Sequence, residues 1–408
     1  MVELDGLDRV DLLPEPSDRR ILSAIDPSTV GYQDEWRAEV TGWAPQNAEP
    51  LPKIRRTRVI ASNVTIFAIM SVVILLVWQS GFLFIELPSP TSEWAFETTE
   101  IRQLQDEGLN GEGVRLCMVD TGFSPIHSSF EGVEIIFKDM VGDSTVPVDY
   151  GSIGHGTMMA GLLISQSHQV GIAPNITLAM VAALSDNGDG ENSGDESIVA
   201  DAIGWCQNNF EADIISLSLG GQQKLANEPE GASVTAARMA VDSGIYVVAA
   251  AGNDGGIDDD GIVSAPANVA RVITVGSTTM EGQIWANSSA GSQLTETQNP
   301  RQSPNLKPEI VSPGHMIVST GDNGDWYSSS GTSVSTVFVS GALALILQAH
   351  PELKPNPDSN GSCIDSVKVA LMNSAQQNEF ASTHDNHWGY GELKSQLWLQ
   401  EISNSEQC

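Results

Sequence analysis

The segment from Val59 to Ile85 contains no charged residue, in a chain that carries 19 basic and 52 acidic side chains. An apolar run of this length can cross the roughly 30 Å of hydrocarbon in a bilayer as a helix. A buried core helix is usually shorter and has a polar face, and the apolar part of a signal peptide starts close to residue 1 and spans about 7–15 residues. The run therefore predicts a transmembrane helix over residues 59–85.

The charges beside this run predict its orientation, because basic residues are retained on the cytoplasmic side of a membrane. Residues 1–58 are expected to lie in the cytoplasm and to be mostly flexible, with one short helix near residues 18–25. Residues 86–97 are predicted to be a stiff linker, and residues 98–408 a folded domain outside the cytoplasm. The flanking charges are Lys53, Arg55, Arg56 and Arg58 before the run, and Glu86, Glu93, Glu97 and Glu100 after it.

The acidic excess gives a formal net charge of −33 and is concentrated beyond the apolar run, where residues 86–408 hold 11 basic and 41 acidic side chains. Such a surface repels phosphate backbones, so nucleic acid is not an expected partner. The excess suits a saline environment or an enzyme that attracts basic peptides. Residues 186–196 and 258–260 have enough oxygen atoms for calcium, but neither follows a strict loop pattern, and a solvated acidic surface also explains them.

The four cysteines do not form a disulfide scaffold or a metal-binding pattern. Cys117 and Cys206 lie within apolar elements, where the expected role is that of a small buried hydrophobic residue. Cys363 and Cys408 lie in polar surroundings outside the cell, so a bridge between them is compatible with the sequence but cannot be deduced from it.

The region beyond the linker alternates between strand and helix patterns. Continuous apolar runs predict buried parallel strands, and the stretches between them have helical periodicity. This alternation predicts an α/β fold of three layers with a mostly parallel central sheet, whose sites lie at the carboxyl ends of its strands. The predicted strands are 113–120, 172–184, 214–219 and 246–251, and the predicted helices are 155–166, 197–209 and 232–243.

Three short glycine-containing motifs carry the residue types that acyl transfer requires. Asp120 ends the first strand in VDTG, His155 opens a helix in GHGT, and Ser333 opens another in SGTS. A hydroxyl nucleophile, an imidazole base and a carboxylate that orients the base form a catalytic triad. The neighbouring glycines allow sharp turns and close approach of a substrate.

These motifs resemble those of the subtilisin-like serine proteases, the subtilases, in the same order along the chain. The resemblance extends from about Ile101 to Leu393, and further motifs of the family are present: SLSLGG at 216–221, AAAGND at 249–254, HP at 350–351 and GYGELK at 389–394. The sequence departs from the family at Val337, where proline is usual, and at Met158, where a second histidine is frequent. Neither change touches the three motif residues.

The resemblance implies a role for each site residue. Asp120, His155 and Ser333 would be the catalytic triad, and Asn253 would form the oxyanion hole with the backbone amide of Ser333. Substrate would pair with the backbone of Ser218, Leu219 and Gly220, while Ala250 and Gly252 would line the P1 pocket above a floor at Ser264. His127 would line the cleft.

The predicted function is a membrane-anchored serine endopeptidase that acts on polypeptides, requires no cofactor, and is expected to be monomeric. The alternative is a non-catalytic, membrane-tethered peptide-binding protein that retains the subtilase fold. Subtilases typically carry an inhibitory propeptide domain, and no stretch between the apolar run and the catalytic resemblance is long enough for one. We therefore expect the anchored chain itself to be the active form.

Overall fold

The structure is a computed structural model that describes residues 56–79, 91–221, 229–257, 259–295, 297–356, 362–377 and 383–405. The chain divides into two units, residues 1–87 and residues 88–408.

The first unit contains one helix, α1 (Arg56–Gln79). Its stretch Ile60–Val77 has the length and composition of a membrane span, and none of that stretch is buried. The hydroxyl groups of Thr65 and Ser71 donate to the carbonyl groups of Ala61 and Phe67 within the helix, at 2.8 and 2.9 Å. The helix thus satisfies these polar side chains internally, as a hydrocarbon environment requires. Residues 80–85 and the predicted helix at 18–25 lie outside the described residues.

The folded body begins earlier than the predicted linker allows. Residues Glu93–Thr98 form helix α2, in which Ala95 and Phe96 are fully buried. The ring of Phe96 meets that of Phe338 edge to face at 5.2 Å, and the Ser92 hydroxyl accepts a hydrogen bond from the amide of Val318 at 2.8 Å. The prediction of a linker over residues 86–97 is therefore wrong for residues 93–97, because their apolar side chains complete the core.

A seven-stranded sheet forms the centre of the second unit, and each of its strand pairs is parallel. The strands follow the order β2-β3-β1-β6-β7-β8-β9, so β1 is an interior strand and its carboxyl end lies between those of β3 and β6. The strands are β1 (Arg115–Asp120), β2 (Ile136–Asp139), β3 (Thr177–Ala182), β6 (Ile214–Leu217), β7 (Tyr246–Ala250), β8 (Ile273–Thr278) and β9 (Ile310–Pro313).

Two short antiparallel hairpins stand apart from this sheet. The first pairs β4 (Ser185–Asp186) with β5 (Asn192–Ser193), and the second pairs β10 (Ile317–Thr320) with β11 (Trp326–Ser329). The second hairpin leads directly into the helix that carries Ser333, and it therefore helps to position that helix.

Helices complete the three layers. Helix α7 packs against strands β6 to β9 and against α4, while α5 and α6 pack against each other and contact β1, β3 and β7. The predicted α/β fold is confirmed, and the predicted helices and strands agree with the observed ones except at their ends. The helices are α3 (Ile101–Asp106), α4 (His155–Ile164), α5 (Glu196–Asn208), α6 (Ala232–Asp242), α7 (Thr332–Ala349), α8 (Ser362–Ser374) and α9 (Ser395–Asn404).

Cys117 and Cys206 form a disulfide bond between β1 and α5, and both residues are fully buried. The prediction of small buried residues is confirmed for their burial, but it did not include the bridge between them. The two residues are 89 positions apart, and only the packing of α5 on β1 brings them together. Cys363 is also disulfide-bonded, whereas Cys408 lies outside the described residues.

We predict that replacing both Cys117 and Cys206 with alanine lowers the free energy of unfolding by about 2–4 kcal/mol, because the bridge restricts the unfolded chain. The measurement is chemical unfolding of the full chain in detergent, with the double variant compared with the wild type. Unchanged stability of the double variant would contradict a stabilising bridge. Mass spectrometry of unreduced peptides provides the direct check of the pairing.

Candidate active site

Three motif residues meet at the carboxyl edge of the sheet. Asp120 is the last residue of β1, His155 is the first residue of α4, and Ser333 is the second residue of α7. Gly154 precedes His155 with φ +70°, and a Cβ atom there would lie 2.5 Å from the Cβ atom of Asp322. Glycine is required at this position, because the backbone is left-handed and another chain segment lies against it.

Asp120 and His155 are joined by a hydrogen bond of 2.7 Å between Asp120 Oδ1 and His155 Nδ1. The Asp120 side chain is fully buried, whereas the His155 side chain is 21% exposed. Burial by itself lowers the pKa of His155, but the charge of Asp120, its hydrogen bond and the charge of Asp149 together raise that pKa above the ordinary 6.5. The pair therefore stabilises the imidazolium form, which a general base acquires when it accepts a proton.

Ser333 lies at the start of α7 with only 8% of its surface exposed. In the part of the chain that the structure describes, its hydroxyl group donates to the carbonyl of Ser218 at 3.1 Å rather than to the ring of His155. The Ser218 hydroxyl in turn donates to the Ser333 carbonyl at 3.2 Å. These contacts join the strand of the predicted substrate site to the candidate nucleophile. Catalytic hydrogen bonds are often loose before substrate binds, so this geometry is compatible with a nucleophilic role.

The Asn253 side chain is exposed and is oriented by Thr332. Asn253 Oδ1 accepts hydrogen bonds from the amide and from the hydroxyl of Thr332, at 3.0 and 2.9 Å. Because the oxygen is occupied on the Thr332 side, the amide nitrogen of Asn253 remains available as a donor. Thr332 is fully buried and also contacts both backbone groups of Gly252, so the whole loop is held against the start of α7.

The predicted P1 residues converge only in part. A Cβ atom on Gly220 would lie 2.6 Å from the Ser264 side chain, and one on Gly252 would lie 2.5 Å from it, so Ser264 lies between the two glycines. Leu219 and Gly220 are accessible to a peptide. Ala250, in contrast, is only 3% exposed within β7, and it does not present its side chain to an open pocket.

His127 does not line the cleft, contrary to prediction, because it is only 2% exposed. Its Nδ1 atom accepts a hydrogen bond from the amide of Ser129 at 3.1 Å, and its ring meets that of Trp326 edge to face at 4.4 Å. Burial is the largest influence on the pKa of His127 and lowers it below its ordinary value. His127 is therefore a packing residue beneath the hairpin of β10 and β11.

Asp149 is the important residue that the sequence did not indicate. Its Oδ1 atom accepts hydrogen bonds from the Thr121 hydroxyl and the Gly151 amide, at 2.6 and 2.9 Å. Its Oδ2 atom accepts from the amide and from the hydroxyl of Thr157, at 2.8 and 2.6 Å. Thr121 follows Asp120, and Thr157 lies in the first turn of α4. The Asp149 carboxylate therefore connects the segment that carries Asp120 to the helix that carries His155.

The structure brings together no group of three or more His, Cys, Asp or Glu side chains suited to a metal ion within the residues that it describes. In the acidic stretch 186–196, Asp186 accepts hydrogen bonds from the amides of Gly188 and Gly190 and thereby shapes its own turn. Asp258 lies outside the described residues. Calcium binding therefore gains no support from the geometry.

This fold and edge geometry define an α/β protein with a buried carboxylate–imidazole pair and a serine at the start of a helix, all at the carboxyl edge of a parallel sheet. The sequence profile of the subtilase family matches residues 111–391, which is more than half of the chain. The chain therefore belongs to the subtilase family.

Individual relatives agree with this assignment. The chain is 33% identical over 256 residues to subtilisin E of Bacillus subtilis (strain 168), an alignment that covers 61% of this chain and 59% of that protein. It is 32% identical over 312 residues to the serine protease AprX of the same organism, which covers 69% of this chain and 66% of that protein. The chain thus spans about three fifths of the length of subtilisin E.

Solved structures support the same fold. A cold-adapted subtilisin-like serine proteinase superposes with a TM-score of 0.55 at 29% identity, over 70% of this chain and 90% of that one. The prenylagaramide maturation protease PagA superposes with a TM-score of 0.57 at 25% identity, over 74% of this chain and 97% of that one.

We predict that Asp149→Asn lowers the pKa of His155, because it removes a negative charge that raises this pKa and weakens the attachment of α4 to the loop after β1. The measurement is NMR titration of isotope-labelled histidine rings. The matched control is Asp186→Asn, which also removes a carboxylate that accepts backbone amides in a neighbouring turn. An unchanged titration of His155 in Asp149→Asn would contradict the prediction.

Proposed function

We propose that this protein is a membrane-anchored serine endopeptidase in which Ser333, His155 and Asp120 form the catalytic triad. The single observation that carries the proposal is the 2.7 Å hydrogen bond between the buried carboxylate of Asp120 and His155 Nδ1, at the sheet edge where Ser333 opens α7. Membership of the subtilase family supports hydrolysis of peptide bonds as the reaction.

In the proposed mechanism, the Ser333 hydroxyl turns from the Ser218 carbonyl towards His155 and attacks the carbonyl carbon of the scissile bond. His155 Nε2 accepts the hydroxyl proton, while Asp120 keeps the Nδ1 proton in place and stabilises the imidazolium. His155 then donates this proton to the leaving amine, and an acyl-enzyme forms on Ser333. A water molecule, deprotonated by His155, hydrolyses the acyl-enzyme and releases the acid product.

Asn253 and the backbone amide of Ser333 would stabilise the negative charge on the tetrahedral intermediate. The contacts of Asn253 Oδ1 with Thr332 support this role, because they fix the amide before substrate arrives. A donor of this kind is worth about 2.7–4 kcal/mol in transition-state stabilisation. The amide of Ser333 lies at the N-terminus of α7, where partial positive charge favours an anion.

The part of the substrate before the scissile bond would add as an extended strand along Ser218, Leu219 and Gly220. Such pairing takes its affinity from main-chain hydrogen bonds, and a side-chain pocket then provides selectivity. The proposed P1 pocket lies between Gly220 and Gly252 with Ser264 at its base, an arrangement supported by the close approach of both glycines to the Ser264 side chain.

The proposed location of the catalytic domain is outside the cytoplasm, attached by α1. Three observations support this topology: the unburied apolar helix, the basic residues before it, and the Cys117–Cys206 bridge. Disulfide bonds persist in oxidising compartments and are rare in the cytosol.

We predict that Ser333→Ala and His155→Ala each reduce peptidase kcat/KM by several orders of magnitude, and that the double variant is scarcely worse than either. Residues that act as one catalytic unit give non-additive losses. Peptide hydrolysis and labelling of Ser333 by a fluorophosphonate probe are the measurements. A wild-type chain that binds peptides but neither hydrolyses them nor reacts with the probe would instead be a tethered binding protein.

We further predict that the active species in cells is the full-length anchored chain. Activity is measured in membrane and soluble fractions, and the active protein in each is sequenced from its N-terminus. The rival outcome is cleavage between α1 and α2, since linkers between domains are favoured sites of proteolysis. Activity found only in a soluble species that begins after residue 86 would contradict a permanent anchor.

A further inference from the structure

Two exposed methionines lie on loops at the carboxyl edge of the sheet, outside the residues assigned above. Met280, in the turn after β8, is 65% exposed, and Met316, between β9 and β10, is 64% exposed. Trp285 belongs to the same loop as Met280, and His315 precedes Met316; both are only partly buried, and their rings stack at 6.1 Å. We call these four residues the methionine–tryptophan platform.

The backbone presents this platform in a fixed form. The turn after β8 is closed by hydrogen bonds from the Thr279 amide to the Gln283 carbonyl and from the Trp285 amide to the Ser277 carbonyl, at 2.8 and 2.9 Å. Met316 has a φ of +55°, a backbone conformation that residues other than glycine rarely adopt. Its amide donates to the Ser330 hydroxyl at 2.9 Å. Such a conformation persists only where the surroundings determine it.

Both loops of the platform are attached to the proposed catalytic machinery. On one side, the Ser289 amide donates to the Gly252 carbonyl at 3.1 Å, and the Gly255 amide donates to the Asn287 carbonyl at 3.0 Å. On the other side, the Gly331 amide donates to the Gly314 carbonyl at 2.8 Å. The platform is therefore continuous with the loop of Asn253 and with the residues that lead into Ser333.

The order of the strands tells which part of a substrate would reach the platform. The carboxyl ends of β6, β7, β8 and β9 follow one another along the sheet. The acyl part of a substrate pairs at the end of β6, and its scissile carbonyl faces Asn253 at the end of β7. The platform lies at the ends of β8 and β9, on the other side of Asn253 from the acyl part, so it is open to the residues that follow the scissile bond.

We propose that the platform binds an apolar side chain of the polypeptide substrate at about the third residue after the scissile bond. This rests on the proposed peptidase function. The amide of Met316 donates to Ser330, which is three residues before Ser333. Three residues span at most about 10 Å, so three extended substrate residues are long enough to reach from Ser333 to the loop of Met316. Methionine and tryptophan provide an adaptable apolar surface of the kind that is enriched at binding sites.

The experiment compares two substrates with the same residues before the scissile bond. One is an internally quenched peptide with leucine at the third position after that bond, and the other is a p-nitroanilide that has no residue there. For full-length Met316→Ala and Met280→Ala, the ratio of kcat/KM for the peptide to that for the p-nitroanilide is expected to fall about tenfold. Trp285→Ala is expected to do the same, and the two methionine variants keep the test decisive should Trp285→Ala fail to fold.

The matched control is Met239→Ala, which removes a methionine that is 59% exposed on α6. Its ratio is expected to equal that of the wild type. Replacing the leucine of the peptide with serine should remove most of the difference between the wild type and the platform variants. An unchanged ratio in Met316→Ala and Met280→Ala would overturn the platform. Failure of the wild type to hydrolyse either substrate would instead overturn the peptidase function on which it rests.

Discussion

The buried carboxylate of Asp120 is the constraint around which the site is built. A carboxylate in the centre of a sheet is costly unless charged and hydrogen-bonding partners surround it. Asp120 Oδ1 meets both His155 Nδ1 and the amide of Thr121, each at 2.7 Å. The buried carboxylate of Asp120 therefore stabilises the position of His155, because a displacement of α4 would leave that charge without its partner.

Asp149 extends this constraint to the surrounding loops. Its four hydrogen bonds connect the segment after β1 to the first turn of α4, so the two halves of the Asp120–His155 pair move together. Thr332 has a comparable role on the opposite side, where it connects the loop of Asn253 to α7. The reacting side chains are therefore held in place by polar contacts with neighbours that do not themselves react.

The sequence predicts the α/β fold and the placement of Asp120, His155 and Ser333, because glycine-flanked motifs at strand ends are local signals. It does not predict Asp149, because nothing in the sequence links this residue to Thr121, 28 positions away, and its own surroundings, VPVDYGSIG, contain no distinguishing pattern. The Cys117–Cys206 bridge was missed for a similar reason, since each cysteine looks like an ordinary core residue in its own element. The folded domain begins at α2 because the ring of Phe96 packs against that of Phe338. The sequence does not reveal this contact, since the two residues are far apart along the chain.

Helix α7 has a further consequence for the order of events during synthesis. It is long and apolar enough to resemble a membrane span, yet 89% of it is buried beneath β6 to β9. Until those strands have formed, this helix is a hydrophobic segment without cover, and the serine at its start has no neighbours. Packing against those strands therefore covers this long apolar helix and positions the serine at its start in the same step of folding.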